Sequence, residues 1–307
     1  MPFGIRPSNV RVCHSTTRAG EQGCESSAER SQSQVSWTGE VVVILLETKI
    51  KRMRKSMSDG ENSDWIKIDL HIHTLDDPKD VIDYSAHQLL ERAKRLGFGV
   101  LAITLHDAVF DRAEVFADAA EMGILLIPAA EVRLQGADAI LLNVTSAEVA
   151  GLKNFDDLRQ LRAGRGLSMF TIAPHPFYVL GGSIGERLID EIDCFDAIEL
   201  CHFHKGFFNL NRRAAKVATQ FGKPLVATSD AHQLHAFGRH YTSIPRPTGL
   251  TVENIFATLR DGPRRVVSPP ASIVDLASAI YFFFFTHPAR IRRRHSCGSA
   301  LESQSQT

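Results

Sequence analysis

Residues 65–74 read Trp-Ile-Lys-Ile-Asp-Leu-His-Ile-His-Thr, an apolar alternation that ends in two histidines one residue apart. Successive side chains of a β-strand point to opposite faces, so this stretch predicts a strand over 66–72 that aims His71 and His73 into the same space. Two imidazoles placed in this way form half of a metal site, because histidine is a common ligand of transition metals. The stretch therefore predicts the first strand of the fold and a metal site at its end.

The chain beyond this strand alternates short apolar runs with helical patterns as far as residue 270. Six further strands are predicted, at 100–104, 124–134, 139–144, 168–173, 197–201 and 225–228. Helices are predicted between Ser85 and Gly97 and at about 112–122, 155–162, 184–192, 210–221 and 252–259. Seven strand-helix repeats within about 200 residues favour an α/β barrel built around parallel strands over two separate domains.

Polar clusters follow four more of the predicted strands, at the ends where barrel enzymes build their active sites. They are His106 with Asp107, then Glu131, then His175 between two prolines, and finally Asp230 with His232. A carboxylate such as Glu131 in an apolar strand is costly to bury unless it is paired or metal-bound, so it is a natural bridging ligand. Asp230 and His232 repeat the same-side spacing of the first motif. We therefore expect histidines and carboxylates from five strands to converge.

The number of converging groups exceeds the four ligands of one tetrahedral zinc ion and suits two or three divalent ions. Such ions polarise a phosphoryl oxygen, lower the pKa of a bound water and stabilise the leaving oxygen, so hydrolysis of a phosphate ester is the predicted chemistry. Histidine and carboxylate ligands suit Zn, Mn or Fe alike. A structural site would usually be closed and drawn from cysteines, which these loops do not supply.

Four motifs, in this order along the chain, resemble those of the PHP (polymerase and histidinol phosphatase) superfamily. They read Asp-Leu-His-Ile-His-Thr at 69–74, Ile-Thr-Leu-His-Asp at 103–107, Ala-Pro-His-Pro at 173–176 and Ser-Asp-Ala-His at 229–232. The resemblance covers residues 66–244 and implies a distorted (β/α)7 barrel with metal-dependent phosphoesterase activity. It implies as metal ligands His71, His73, His106, Glu131, His175, Asp230 and His232, with Glu131 bridging two ions. Asp230, His232 and Glu131 are the residues we expect to serve in catalysis.

The chain departs from the family pattern at three places. The second motif reads Thr-Leu-His instead of Thr-Asp-His, so a carboxylate that could orient the His106 ring is missing, and Asp107 is a candidate replacement. A further ligand usually follows the first motif, and we favour Asp77 for it. The family also often has a histidine before the Pro-His-Pro segment, whereas residues 107–174 contain none. Asn143 lies near that position and is a poor ligand.

Other polar residues near the predicted strand ends are candidates for contact with the substrate. They are Arg133, His202, His204, Lys205 and Arg239. His202 or His204 could instead supply the missing ligand or be an uninvolved surface residue. The three cations could hold a substrate phosphate.

Composition narrows the substrate and the cellular setting. Among 307 residues, 35 Lys and Arg balance 35 Asp and Glu, so the whole chain lacks a basic field that would draw it onto nucleic acid. This favours a small or short substrate, which is either a phosphorylated small molecule such as a phosphomonoester or a short nucleic acid, nucleotide or oligonucleotide end. Five cysteines without a C-x-x-C pair predict a reducing, cytoplasmic setting. Apolar runs are too short to predict stable membrane insertion.

Three segments are predicted along the chain. Residues 1–63 are rich in Ser, Gly, Gln, Glu and Arg, which predicts a disordered or non-native extension. Met57, within this stretch, is a candidate for the natural start of the protein. A transit peptide is the competing explanation, but acidic residues in this stretch oppose it. Residues 64–270 are predicted to form the barrel. Residues 271–307 are predicted to form an apolar helix and then a disordered basic and Ser/Gln-rich tail.

A second function from a different class is a non-catalytic metal-binding or interaction module. In this hypothesis the barrel serves as a scaffold and the phenylalanine-rich C-terminus as a docking surface. The missing histidine motivates it, and metal retention without turnover of any phosphoester would favour it. The oligomeric state is left open by the sequence.

Overall fold

A computed structural model describes residues 64–178, 181–205, 209–272 and 281. The strands are β1 Trp65–Ile72, β2 Phe98–His106, β3 Leu125–Leu134, β4 Ala137–Leu142, β5 Phe170–Ala173, β6 Ala197–Leu200, β7 Leu225–Ala227, β8 Tyr241–Pro245 and β9 Arg265–Val267. The α-helices are α1 Ala86–Leu96, α2 Ala113–Glu121, α3 Ser146–Gly151, α4 Phe155–Arg165, α5 Asn211–Phe221 and α6 Val252–Asp261. The extension predicted at 1–63 and most of the segment predicted at 271–307 lie outside the described residues.

The strands form one sheet in the order β7-β6-β5-β4-β3-β2-β1-β8-β9. β1, β2 and β3 run parallel, as do β5, β6 and β7, whereas β4 is antiparallel to both of its neighbours. The segment after β7 returns to β1: the Asp230 N–H donates to the His71 carbonyl at 3.0 Å, and Ala231 bridges Ile72 in parallel. The sheet is therefore a nearly closed barrel in a mixed α/β fold, which confirms the predicted fold class.

The structure departs from a regular seven-fold repeat. Two strands that were not predicted, β8 and β9, extend the sheet beyond β1. The helix predicted at 184–192 is replaced by two 3₁₀ turns, Gly185–Leu188 and Ile192–Cys194. Between these turns the Asp190 carbonyl accepts a hydrogen bond from Arg159 Nη2 at 3.4 Å, and the same guanidinium binds Glu191 at 2.6 Å. The Asp190 carbonyl is therefore engaged by a side chain from α4.

β3 and β4 form a hairpin, which explains why β4 runs against its neighbours. The two residues between the strands, Gln135 and Gly136, have φ angles of 50° and 84°. Two consecutive positive φ angles are the geometry of a two-residue type I′ turn, whose twist matches that of the flanking strands. No crossover helix is needed at this point, so the predicted strand-helix repeat is interrupted there.

Gly136→Ala is expected to lower the free energy of unfolding by about 1–2 kcal/mol, because a Cβ is unfavourable in the left-handed backbone region. The matched control is Gly164→Ala in α4, where the glycine is exposed and has open space around it. This second change should raise stability by up to about 1 kcal/mol, since alanine is the better helix former. Denaturant unfolding of both variants measures the difference. Equal effects at the two positions would contradict the turn geometry.

Apolar side chains fill the barrel interior and its amino-terminal end, and the carboxyl ends of the strands carry the functional groups. A cluster of buried apolar side chains from β1 to β8 is completed by α6. Phe256 of α6 packs on Phe170 at the start of β5, with ring centroids 5.4 Å apart. α6 therefore covers the amino ends of the strands.

Among the residues that the structure describes, no helix has the length and hydropathy of a membrane-spanning segment.

Candidate metal centre

The side chains implied as ligands by the four motifs meet at the carboxyl ends of the strands. They are His71, His73, His106, Glu131, His175, Asp230 and His232. Each belongs to a group of three side chains whose ligand atoms all lie within 4.8 Å of one another. The groups in the described chain are His73–His106–His232, His71–His73–Glu131, His71–His175–Asp230 and Glu131–Asp138–His175. The structure thus brings all seven residues together and adds Asp138, which sequence reasoning did not single out.

An irregularity at the end of β1 decides where its histidines point. The register between β1 and β2 shifts between Asp69 and Ile72. Leu70 packs in the cluster inside the barrel, whereas Ile72 packs in the outer cluster beneath α1 and α2. A regular strand would keep both residues on one face, so the irregularity turns His71 and His73 inward above the apolar interior.

The Glu131 carboxylate lies in the middle of the centre and is only 3% exposed. Its Oε2 atom is 3.3 Å from His71 Nε2 and 3.4 Å from His73 Nε2. The same oxygen is 3.3 Å from His106 Nε2, and Oε1 is 3.4 Å from His175 Nε2. A carboxylate whose two oxygens face imidazoles on both sides has the geometry of a bridge between two cations.

Carboxylates behind the first two histidines determine which ring nitrogen carries the proton. His71 Nδ1 donates to Glu199 Oε1 at 3.0 Å, and His73 Nδ1 donates to Asp77 Oδ2 at 3.2 Å. The two Nε2 atoms, 3.3 Å apart, are therefore left with lone pairs directed at a shared space. Acceptor atoms crowded in this way repel one another unless a positive charge lies among them, either a proton on an imidazole or a metal ion.

The spacing of these atoms fits the coordination shell of an ion. Ligand atoms about 2.0–2.1 Å from a tetrahedral ion are about 3.3–3.4 Å from one another. Asp230 Oδ1 is 3.3 Å from His71 Nε2 and 3.4 Å from His73 Nε2. With the contacts to Glu131 and between the two rings, five of the six edges of a tetrahedron measure 3.3–3.4 Å. The residues present therefore fit a divalent metal ion.

The centre keeps Glu131 and Asp230 ionised although both are largely buried, because imidazoles hold the pKa of each carboxyl well below its usual value. Burial lowers the pKa of His71, but the charges of Asp230, Glu131 and Glu199 outweigh burial and raise that pKa well above its usual value. Burial raises the pKa of Asp230, but His71 and its neighbouring imidazoles hold that pKa well below its usual value. A concentration of ionised carboxylates at one point attracts cations.

Three residues beside the centre adopt the left-handed backbone conformation that residues other than glycine rarely take. Asp107, His175 and Asp230 have φ angles of 52°, 30° and 45°. A backbone contact fixes each of them: their N–H groups donate to the Glu131 carbonyl at 2.8 Å, to Glu199 Oε2 at 2.7 Å and to the His71 carbonyl at 3.0 Å. Strain held in place by such contacts is typical of functional sites.

Asp77, favoured as a ligand from the sequence, lies behind the histidine rings. Its Oδ2 atom accepts from His106 Nδ1 at 2.8 Å as well as from His73. Its Oδ1 atom accepts from the backbone N–H groups of Lys79 and Asp80, each at 2.9 Å. Asp77 belongs to none of the four metal-type groups of the described chain. These contacts are those of a carboxylate that orients two imidazoles, and the assignment of Asp77 as a ligand stays a prediction.

Asp107 and Asn143, the residues found near two missing family positions, do not contact the histidines of the centre in the contacts described. Asp107 accepts from the Arg133 backbone N–H at 2.7 Å and pairs with Lys79, so it does not orient His106. The Asn143 amide donates to the Ser168 carbonyl at 2.7 Å. The carboxylate that contacts the His106 ring is Asp77. Within residues 107–174, which contain no histidine, Asp138 lies next to the centre.

Sequence reasoning missed three carboxylates that the structure places at the centre. Glu199 accepts from His71, Asp80 Oδ2 is 3.0 Å from His232 Nε2, and Asp138 joins the group of Glu131 and His175. Glu199 carried a usable signal, because it is a buried carboxylate in an apolar strand, as Glu131 is. Asp80 and Asp138 carried none, since an aspartate in a loop or next to a turn is usually solvated.

The five candidates for substrate contact are distributed unevenly. His204 turns away and contacts the Ser268 carbonyl at 3.0 Å, and Arg239 donates to the Pro270 carbonyl at 3.4 Å. His202 lies near the centre, where burial lowers its pKa to about 4 despite the nearby carboxylates. Lys205 is partly buried. Arg133 follows Glu131 by two residues in β3 and is half exposed.

Comparisons with known proteins agree with this architecture. A family model described as PHP-associated matches residues 209–263. Uncharacterized protein MJ1587 of Methanocaldococcus jannaschii is 26% identical over 148 residues, which are 45% of this chain and 84% of that protein.

Two solved structures share the fold. One is a two-domain protein of Bacteroides vulgatus containing a predicted PHP-like metal-dependent phosphoesterase, with a TM-score of 0.51 and 18% identity over 67% of this chain. The chain spans 65% of the length of that protein. PsfC of Pseudomonas syringae has a TM-score of 0.51 and 17% identity over 71% of this chain and 98% of its own. The chain therefore shares the fold of these proteins, and the match to the PHP-associated model agrees with the resemblance that its motifs carry.

Proposed function

We propose that this protein is a metal-dependent phosphoesterase. The observation that carries the proposal is a set of four atoms, one each from His71, His73, Glu131 and Asp230, in which each histidine Nε2 lies 3.3–3.4 Å from the other three atoms. We assign the first ion to these groups. His106 and His232 would hold an ion beside His73 and Glu131, and His175 would hold one beside Asp230. The proposed ions are two or three in number, from Zn, Mn or Fe.

Ions held there would polarise a phosphoryl oxygen, lower the pKa of a bound water and stabilise the leaving oxygen. The chain's own carboxylates hold the ligands in the orientation that this chemistry needs, because Glu199 and Asp77 bind the Nδ1 protons of the first two histidines. A fixed tautomer and ring direction remove the reorganisation that a free imidazole would need. Asp80 restrains His232 in the same way, through the contact with Nε2.

The centre is open on one side, and we propose that the substrate enters there. His71 and His73 are fully buried, whereas the side chain of His106 is 23% exposed and that of Asp230 is 14% exposed. The proposed substrate is a phosphate ester, either a small phosphomonoester or the end of a nucleotide or oligonucleotide. Asp230, His232 and Glu131 are proposed to act at the scissile bond because each belongs to the groups around this opening.

His71→Ala combined with Asp230→Ala is expected to abolish hydrolysis of both an aryl phosphate and an aryl phosphodiester, because it removes two corners of the tetrahedral set. Bound metal, measured by elemental analysis of the full chain, should fall by at least one ion. The control is His87→Ala on α1, away from the centre. The His87 imidazole is 47% exposed and lies 3.1 Å from the Asp118 carboxylate.

The substrate pair also separates the two ester classes, since the faster of the two reactions shows which kind of ester to pursue. Metal-free and inactive wild-type protein, even after addition of Mn²⁺ or Zn²⁺, would overturn the proposal. Metal retention without turnover of either ester would overturn the catalytic part and favour a metal-binding module.

A further inference from the structure

Arg133 and Asp138 face each other across the β3–β4 hairpin, next to the proposed centre. They are direct partners in the antiparallel register. The guanidinium contacts the carboxylate with two nitrogens: Nη2 is 2.9 Å from Oδ2, and Nε donates to Oδ1. Asp138 is 4% exposed, so this is a two-pronged ion pair whose acidic partner is buried. Both oxygens of that carboxylate are thus engaged by one cation.

The same carboxylate belongs to a group that could hold a metal ion. Ligand atoms of Glu131, Asp138 and His175 lie within 4.8 Å of one another. His175 Nδ1 is buried and has no hydrogen-bond partner. Two carboxylates and an imidazole in one buried group need a positive charge close by, because burial of uncompensated negative charge is costly. Arg133 supplies that charge in this chain.

The loop that contains Gly182 packs against the ion pair and holds its two partners in place. The Gly182 carbonyl accepts from the Asp138 N–H at 2.7 Å, which holds the loop against the hairpin. A Cβ on Gly182 would lie 1.7 Å from Asp138 Oδ2 and 2.9 Å from Arg133 Nη2, so only a glycine allows the backbone to cover the pair. The Arg133 backbone N–H is fixed in addition by Asp107 at 2.7 Å. The guanidinium is therefore held by Asp138, and contacts from two further segments fix the backbone of both partners.

We propose that the Arg133 guanidinium takes the place of a metal ion beside Glu131, Asp138 and His175, and thereby limits how many ions the centre holds. A divalent ion on Asp138 would lie within a few ångströms of the guanidinium, where like charges repel strongly. The cation built into the chain therefore competes with an added ion for the same carboxylate. The inference rests on the proposed function, since it concerns the ion number of the same centre.

The test is equilibrium dialysis of the full chain against Mn²⁺, after removal of bound metal with a chelator. Arg133→Gln is expected to bind one more Mn²⁺ per chain than the wild type, or to bind its weakest ion at least tenfold more tightly. Arg133→Lys keeps the charge and should retain the wild-type ion number. Arg133→Gln combined with Asp138→Asn should return to the wild-type number, because the freed carboxylate is then gone.

Asp138→Asn alone provides a second readout that does not depend on how well the Arg133 variants fold. It should leave the ion number unchanged if Arg133 occupies the carboxylate, and it should cost one ion if Asp138 is itself a ligand in the wild type. An equal ion number in wild type and Arg133→Gln, or an ion lost in Asp138→Asn, would overturn the inference. Wild-type protein that binds no Mn²⁺ at all would instead count against the proposed function.

Discussion

Glu131→Gln is expected to lower phosphoester hydrolysis by about 10³-fold, because metal ions contribute several kcal/mol to the transition state and about 1.4 kcal/mol corresponds to tenfold in rate. The Glu131 Oε2 atom faces the imidazole of His71, assigned to the first ion, and the imidazole of His106, assigned to the second. A carboxamide replaces one oxygen with an N–H donor and removes the negative charge. It should therefore lower the affinity of the centre for two ions at once, which elemental analysis would detect as a loss of more than one ion per chain.

The matched control for this change is Glu114→Gln, on the exposed surface of α2, where the carboxylate pairs only with Arg112 among the contacts described. It should leave rate and ion number at wild-type values. If Glu131→Gln lost only one ion and kept a rate within tenfold of the wild type, Glu131 would be an ordinary ligand and the bridging arrangement would be wrong.

Asp77→Asn is expected to weaken metal binding and activity by about 10–100-fold while leaving the number of bound ions unchanged at saturating metal. Asp77 accepts from both His73 Nδ1 and His106 Nδ1. An asparagine keeps the size of the side chain but has a single oxygen, so an NH₂ donor must face either the two ring N–H groups or the backbone N–H groups of Lys79 and Asp80. The rings then lose their fixed direction, although their Nε2 atoms are still present.

Metal titration distinguishes this role from direct coordination. If Asp77 were a ligand, the asparagine variant would lose an ion that added metal could not restore. Its neighbour provides the control: Asp76→Asn removes a carboxylate from the same loop, which pairs with Arg112 at 3.0 Å rather than with a histidine. Asp76→Asn should bind metal with wild-type affinity.

The features that depend on local spacing were accessible from the sequence. The H-x-H of the first motif and the D-x-H of the last follow apolar runs, and a strand period of two places both partners on one side. The barrel followed from repeated apolar runs, because each must bury its faces against neighbours. The seven strands predicted in this way are all present.

The features that depend on pairing across the fold were not accessible. The Gln-Gly pair at 135–136 lacks the Asn or Asp that usually marks a type I′ turn, so the reversed direction of β4 was missed. The position of Asp77 near the histidines was predictable, whereas its contacts with the Nδ1 atoms of two rings were not. Glu199 contacts a histidine 128 residues away, and no local pattern encodes such a distance.

The return of the chain to its first strand has a consequence for how the centre assembles. The Ser229 N–H donates to Asp69 at 3.1 Å, and these residues are 160 positions apart. Because Asp230 reaches the His71 ring only when this final segment has docked, the tetrahedral set does not exist in a partly folded chain. An ion that binds only the docked form adds its binding free energy to ring closure, so metal supply and completion of folding are thermodynamically one event.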